Sequence, residues 1–307
     1  MSEEPSVYLN GKLVPESQAM VSVFDIGLMY GVTLYESLRS FRHRWFLPDE
    51  HWRRLQRSLD YAGLPDLITR GEFDRALAMT LDANVGRFDV EDDLWANIQV
   101  TPGTGFPMPL KSGGLSSTPT VICYTAPIPH ADYARYYRQG KHVVTSLFRL
   151  PATESYEQRV KNRSRFPHFL SKRDAARIDP DAFALMLDGN GHVGEGTGAN
   201  IFFATDGVLT TPKASNILVG ISREYVILLC RELGIEVVED DLTLYEAYTA
   251  EEAFWTTSSY CLLPISMVDG RHIGKTYPGP IAARLLKAWS QKVGVDIITQ
   301  AERFAQP

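Results

Sequence analysis

Residues 184–203 read ALMLDGNGHVGEGTGANIFF, and the fold turns on how this stretch is read. Residues 184–187 are apolar and are followed by Asp188, Gly189, Asn190 and Gly191. Asn-Gly as a two-residue loop between strand-type segments is a strong hairpin signal, because the favoured turn needs positive φ at both positions. The chain is therefore expected to reverse at Asn190-Gly191 and to return through His192 and Val193. It then presents one carboxylate, Glu195, between Gly194 and Gly196, with Gly198 close behind. Glycines let another molecule approach the backbone, so a carboxylate among them suits a buried ring nitrogen or a ligand hydroxyl. The bland alternative is a tight turn with no ligand. A dinucleotide-binding loop is excluded, because that motif needs a helix directly after it to hold a pyrophosphate. Residues 200–203, Asn-Ile-Phe-Phe, read as strand.

Around this stretch lie 307 residues, enough for one large domain or two ordinary ones with a substantial core. At 44% hydrophobic and 22% charged, the composition is that of a globular protein and not of a disordered or membrane-embedded one. A net charge of −6, with arginines scattered among acids, gives no basic tract for nucleic acid or an anionic membrane. Cys123, Cys230 and Cys261 are far apart, without CxxC or metal-ligand spacing. No metal site is expected, and a reducing compartment is. The opening MSEEPSVYLNGK lacks the basic and apolar regions of a signal peptide, and no run approaches the length that spans a bilayer. A cytoplasmic protein is the expectation.

Working outward toward the N-terminus, residues 7–14 form a hairpin around Asn10-Gly11, and residues 20–29 read as an irregular segment carrying Asp25 and Gly27. Residues 33–41 read as strand. Period two places Tyr35, Ser37 and Arg39 on one face and Leu34, Glu36 and Leu38 on the other. An arginine among apolar strand neighbours usually marks an ion pair. Residues 49–62, with Trp52, Leu55 and Leu59 on one stripe, and residues 71–83 read as amphipathic helices. Strands follow at 94–100 and 121–125, with a Pro- and Gly-rich loop at 101–117 between them, a candidate cover for a site. Pro127 and Pro129 then mark a stiff connection, which divides the chain into residues 1–126, a linker at 127–133, and residues 134–307.

In the second part, residues 140–147 read as strand, and residues 161–177 are basic and partly helical, with Pro167 near the helix start. Residues 208–212 and 235–239 read as strands. Between them a helix at 223–233 is expected, N-capped by Ser222 and stopped by Gly234. Strand-like residues 253–255 run into the hydroxyl cluster Thr256, Thr257, Ser258, Ser259. A helix at 278–293 carries Ile281, Leu285 and Trp289 in register. No internal repeat is visible.

Four features converge on one ligand chemistry. An arginine-bearing helix, a Gly-Ile-Ser helix start and a Ser/Thr turn can hold a phosphate through guanidinium, backbone N–H and hydroxyl groups. The carboxylate of the glycine hairpin can hold a protonated ring nitrogen. A phosphate and a basic ring nitrogen on one molecule describe pyridoxal 5'-phosphate, which also needs a lysine for its aldehyde.

At these residues the chain resembles the class IV, fold-type IV aminotransferases, the group holding branched-chain aminotransferases, D-amino acid aminotransferases and aminodeoxychorismate lyase. The likeness runs from VYLNGKLVPESQAMVSVFDIGLMYGVTLYESLR to the final helix. The family's YNG opening, YG-to-FEG-R strand, EH-x-x-RL helix, EGxGxN hairpin, PGIT helix start and SGTAAE turn have counterparts here in order. The resemblance implies an α/β (α+β) fold of two domains with the cofactor in the cleft between them, and a homodimer. It implies Lys161 as the cofactor-bearing lysine and proton carrier, with Lys172 on a solvated helix face. It places Glu195 at the ring nitrogen. It assigns the phosphate to Arg54, Ile221, Ser222, Thr257 and Ser258.

The implied partners are an amino donor and a 2-oxo acid acceptor, and the implied substrate pocket takes in Tyr30, Tyr35, Ser37, Arg39 and Tyr260. Some positions depart from the family pattern. Phe166 stands where the branched-chain enzymes carry a tyrosine, so Arg163 or Arg165 is left to serve the cofactor hydroxyl. Ser37 replaces a glycine, TTSSYC replaces SGTAAE, and Pro102 stands where the D-amino acid enzymes bind a carboxylate with arginine. The FEG-R-like strand points to an apolar or branched-chain L-amino acid as donor. The Gln99-Val100-Thr101 stretch resembles the D-amino acid and (R)-amine enzymes, and Ser37 resembles the lyase threonine.

Overall fold

The computed structural model describes residues 4–104 and 118–305. The chain divides into two compact units, Met1–Ile128 with Val160–Ser164, and Pro129–Arg159 with Arg165–Pro307. Each carries one mixed-in-sequence sheet with helices, an α+β architecture.

Among the described residues, the first unit holds a six-stranded antiparallel sheet. Its order is Lys12–Pro15, Ser6–Leu9, Thr120–Pro127, Leu94–Thr101, Leu34–Phe41 and Arg44–Trp45. Asn10 and Gly11 take φ of 49° and 88° and close the first hairpin as the sequence predicts. The helix Pro48–Tyr61 starts with proline at its first turn followed by Asp49 and Glu50, which suit the positive end of its dipole. The helix Arg70–Asn84 is capped by Thr69, whose hydroxyl accepts from the N–H of Glu72. Leu55, Leu59, Phe73 and Leu77 from these helices pack on Leu34, Leu38, Ile98 and Val121 of the sheet. The alternation in residues 34–41 is therefore real: Leu34 and Leu38 face the helices, with Glu36 between them.

The second unit holds a sheet ordered Val237–Asp240, Val208–Pro212, Asn200–Thr205, Glu252–Thr257, Cys261–Val268, Lys141–Thr145, Phe183–Leu187 and Val193–Gly196. Arg271–His272 pairs off the path with Cys261–Val268. Three of the pairings on the path are parallel. Asn200–Thr205 is a strand, so the glycine hairpin does not open a helix. The helices Phe166–Ile178, with Pro167 in its first turn, and Pro280–Val293 lie where the sequence places them.

Some expectations are corrected. The reversal after Phe183–Leu187 is not a two-residue Asn-Gly turn. Asp188 N–H donates to His192 O (2.8 Å) and Gly191 N–H to Asp188 O (3.2 Å), with Gly191 at φ 86°. The loop is thus 189–191, the three-residue kind that ends in a left-handed glycine. Residues 20–29 are not wholly irregular, because Ile26–Tyr30 is a short helix. Its N-cap is Asp25, which accepts from Gly27 N–H (2.7 Å) and Thr120 Oγ1 (2.7 Å). Ser222 is not an N-cap. The helix is Ile221–Leu233, with Gly220 at the cap and no side-chain cap bond. Helices His130–Gln139, Leu244–Thr249 and Ile297–Phe304 have no counterpart among the expected elements. Of the expected 101–117 loop, residues 105–117 lie outside the described residues.

Candidate active site

In the first unit, Glu36 is the centre of a buried charge cluster. The helix Pro48–Tyr61 turns His51 and Arg54, one turn apart, toward it. Arg54 clamps the carboxylate with two bonds, Nε to Oε1 (2.8 Å) and Nη2 to Oε2 (2.7 Å), and His51 Nδ1 donates to Oε2 (2.7 Å). Burial alone pushes the Glu36 carboxyl up. The charge and hydrogen bonds of Arg54, with the bond from His51, outweigh it and hold the group at about 2. Burial also lowers the His51 pKa, against the pull of Glu36. Arg54, expected on a phosphate, thus carries an internal counter-ion.

Lys161 lies in the segment Val160–Ser164, which runs antiparallel beside the start of Leu34–Phe41. Tyr35 N–H donates to Lys161 O (3.1 Å) and Arg163 N–H to Thr33 O (3.0 Å), around a bridge between Leu34 and Asn162. This pairing sets Lys161 across from Tyr35, and its Nζ is 4.6 Å from the centre of the Tyr35 ring. Tyr35 is buried, while Ser37 accepts from Asn97 Nδ2 (2.9 Å). Arg39 is buried beside Asp93 (4.0 Å) and over the Phe41 ring, the ion pair that its strand position suggests. Tyr30, at the end of its short helix, is exposed.

In the second unit, Glu195 is buried on Val193–Gly196. Its Oε2 accepts from Leu218 N–H (2.9 Å) and Asn200 Nδ2 (3.3 Å), and His168 Nε2 is 3.8 Å from Oε1. Asn200 Nδ2 also reaches Leu218 O (2.9 Å), which ties the hairpin to the loop before Ile221. A Cβ at Gly220 would sit 2.1 Å from Asn200 Oδ1, so only glycine fits there. Ile221 and Ser222 are buried at the helix start, whose N–H groups have no side-chain cap. Thr257 donates its hydroxyl to Gly198 O (3.1 Å), and Ser258 lies in the turn that follows. Tyr260 is buried with its ring edge-on to Tyr133 (5.3 Å). The two border a cavity of about 380 Å³ with Gly198 and Trp255. Lys172 is exposed, and Phe166 is 69% exposed.

Each unit therefore gathers its own set. Lys161, Tyr35 and Ser37 come together in one; Glu195, Ile221 and Ser222 in the other. Sequence reasoning missed His51, Asn97 and His168. Only His51 left a signal, being one turn from Arg54. Asn97 and His168 act through register and packing that no local pattern shows. Among the described residues no cluster of His, Cys, Asp or Glu could hold a metal, and no helix is long and apolar enough to cross a membrane.

The profile of the family Amino-transferase class IV matches residues 33–268. A Methanocaldococcus jannaschii protein, provisionally named a branched-chain-amino-acid aminotransferase, is 37% identical over 283 residues, covering 91% of this chain and 93% of its own. The D-alanine aminotransferase of Bacillus licheniformis is 29% identical, covering 94% of this chain and 96% of its own. Among solved structures, the branched-chain amino acid aminotransferase of Escherichia coli superposes with a TM-score of 0.83 at 26% identity, covering 94% of both chains. With its two sheets, its length-wide match and these relatives, the chain belongs to the class IV aminotransferases and is a transaminase.

Proposed function

We propose that this transaminase works with pyridoxal 5'-phosphate carried on Lys161, with an apolar or branched-chain L-amino acid as donor and a 2-oxo acid as acceptor. The residues suit that cofactor. Glu195 Oε2 is occupied by Leu218 and Asn200, whereas Oε1 accepts no hydrogen bond from the described residues. A buried carboxylate with one open oxygen fits a protonated ring nitrogen. This observation carries the reading. The uncapped start of Ile221–Leu233 offers N–H groups to a phosphate. Solved branched-chain aminotransferases of the same fold support this cofactor, one complexed with N-(5'-phosphopyridoxyl)-L-glutamate and another with pyridoxamine 5'-phosphate.

When bound, the cofactor stores the amino group and draws electrons from the substrate Cα. Lys161 Nζ bears the aldehyde carbon and, once released, takes the proton from Cα. Glu195 keeps its negative charge beside the ring nitrogen and so favours the protonated ring. Ile221 and Ser222 orient the phosphate with their N–H groups, with Arg54, Thr257 and Ser258 as the further candidates. Tyr35 and Ser37 border the substrate. Exposed Met20, Val23, Phe24 and Leu28 fit contact with a second copy of the chain.

The choice of donor rests on the 37% identical relative. The 29% identical D-alanine aminotransferase favours a second reading, a D-amino acid or (R)-amine donor, and lyase chemistry is a third. One experiment separates them. The purified protein should be yellow, and L-leucine should bleach it in a half-reaction. Borohydride before bleaching should leave the phosphopyridoxyl group on Lys161. Bleaching by D-alanine or (R)-1-phenylethylamine, with L-leucine inert, would give the second reading its place. An adduct on Lys172 would move the active lysine.

A further inference from the structure

We propose that Arg163 is a substrate-carboxylate receptor, held beside Lys161 by the Tyr35 ring and Asn97. The proposal deepens the transaminase reading and rests on it for the placement of the substrate amine at Lys161. Residues two apart on an extended segment share a face, and the pairing of Val160–Ser164 with the strand Leu34–Phe41 sets that face against Tyr35. Lys161 and Arg163 accordingly lie over the same ring, Nζ at 4.6 Å and Cζ at 3.8 Å from its centre.

The Arg163 guanidinium is half-buried, yet its charge is not neutralised. The other buried or half-buried arginines of this unit reach carboxylates: Arg39 meets Asp93, Arg54 meets Glu36, and Arg70 meets Asp49 and Asp74. Among the described residues, no carboxylate lies within 4.0 Å of Arg163. Its hydrogen bond to protein runs from Nη2 to Asn97 Oδ1 (2.7 Å). Asn97 is fully buried and donates Nδ2 to Ser37 Oγ, which fixes its amide and through it the guanidinium plane.

Neutral partners thus orient a cation and leave its remaining N–H groups for an anion. A planar fork of N–H donors matches a carboxylate in two parallel bonds. The only carboxylate that this reaction must bring beside the lysine belongs to the substrate. It is either the α-carboxylate common to all amino acids or the side-chain carboxylate of a dicarboxylic donor such as glutamate.

The holoenzyme, Arg163→Gln and Arg163→Lys should be titrated calorimetrically with 4-methylvalerate, which has one carboxylate, and glutarate, which has two. Half-reactions with L-leucine and L-glutamate run alongside. Arg163→Gln should weaken binding about 10- to 100-fold, the size of a charged paired hydrogen bond. Arg163→Lys, which keeps the charge without the fork, should fall between. Weakening of both acids assigns the α-carboxylate, and weakening of glutarate alone assigns the side chain. Unchanged affinities in both variants, or a parent enzyme that binds neither acid, overturn the proposal. If the parent binds the acids in an Arg163-dependent way but transaminates neither donor, the donor reading fails and Arg163 stands.

Discussion

Glu195 Oε2 takes two hydrogen bonds and Oε1 takes none from the described residues, so the carboxylate has one side fixed and one side open. Glu195→Gln keeps the shape and removes the charge. The variant should retain its yellow colour, because the phosphate contacts lie on other residues, and should lose about 10²–10³ in turnover, as when one electrostatic stabiliser is removed. Stopped-flow half-reactions would show this, and an unchanged rate would take Glu195 away from the ring nitrogen. At this scale the sequence was readable where a residue carries its own context. Glu195 between glycines declared itself, and Arg39 in an apolar strand declared an ion pair. Leu218, which holds Glu195 from far along the chain, and Asn97, which acts across a sheet register, have no local signature. Ser222 was misplaced by one turn position because Ile221 and Gly220 fit a helix start equally well.

The strand Leu34–Phe41 and the helix Pro48–Tyr61 are joined by a charge cluster where an apolar contact is the usual join. Glu36 has its carboxyl held at about 2, below the ordinary 4.5. Its contribution to stability is therefore full above 4.5 and is lost as pH falls toward 2. His51, buried with a pKa below the ordinary 6.5, adds in the same direction. The unfolded chain takes up that proton first, so stability begins to fall below pH 6.5. Glu36→Gln should cost about 3–5 kcal/mol at pH 7, as for breaking one partner of a buried pair. The gap to the parent should shrink steadily in urea melts at pH 5 and pH 3. A gap that stays constant with pH would mean that Glu36 is not ionised in the folded protein. Long periodic elements such as these were legible because alternation and the 3.6-residue stripe both had room to repeat. Leu244–Thr249 and Ile26–Tyr30 were not, since a helix of one or two turns is set by its cap and its neighbours.

At the scale of the molecule, the segment around the helix Ile26–Tyr30 exposes Met20 (75%), Val23 (69%) and Leu28 (67%), an uncommon run for a surface facing only water. Sedimentation equilibrium should give a species of twice the 34.4 kDa chain mass, and Phe24→Asp with Leu28→Asp should shift it toward the monomer. A parent that sediments as a monomer at micromolar concentration would show that this surface is covered by something else. The α+β class and the order of elements were open to inspection because motifs and amphipathic stretches fall in chain order. Membership of a compact unit was not, because it depends on contacts between residues far apart in sequence.

Val160–Ser164 belongs with the first unit although the residues on either side of it belong with the second. The two units are therefore not beads on a string that could be expressed, exchanged or inherited one at a time. A gene cut anywhere in residues 127–133 would give an N-terminal product without Lys161 and Arg163, and a C-terminal product carrying them without Tyr35. Any recombination that preserves this enzyme must pass the lysine segment and the strand it lies against to the same descendant.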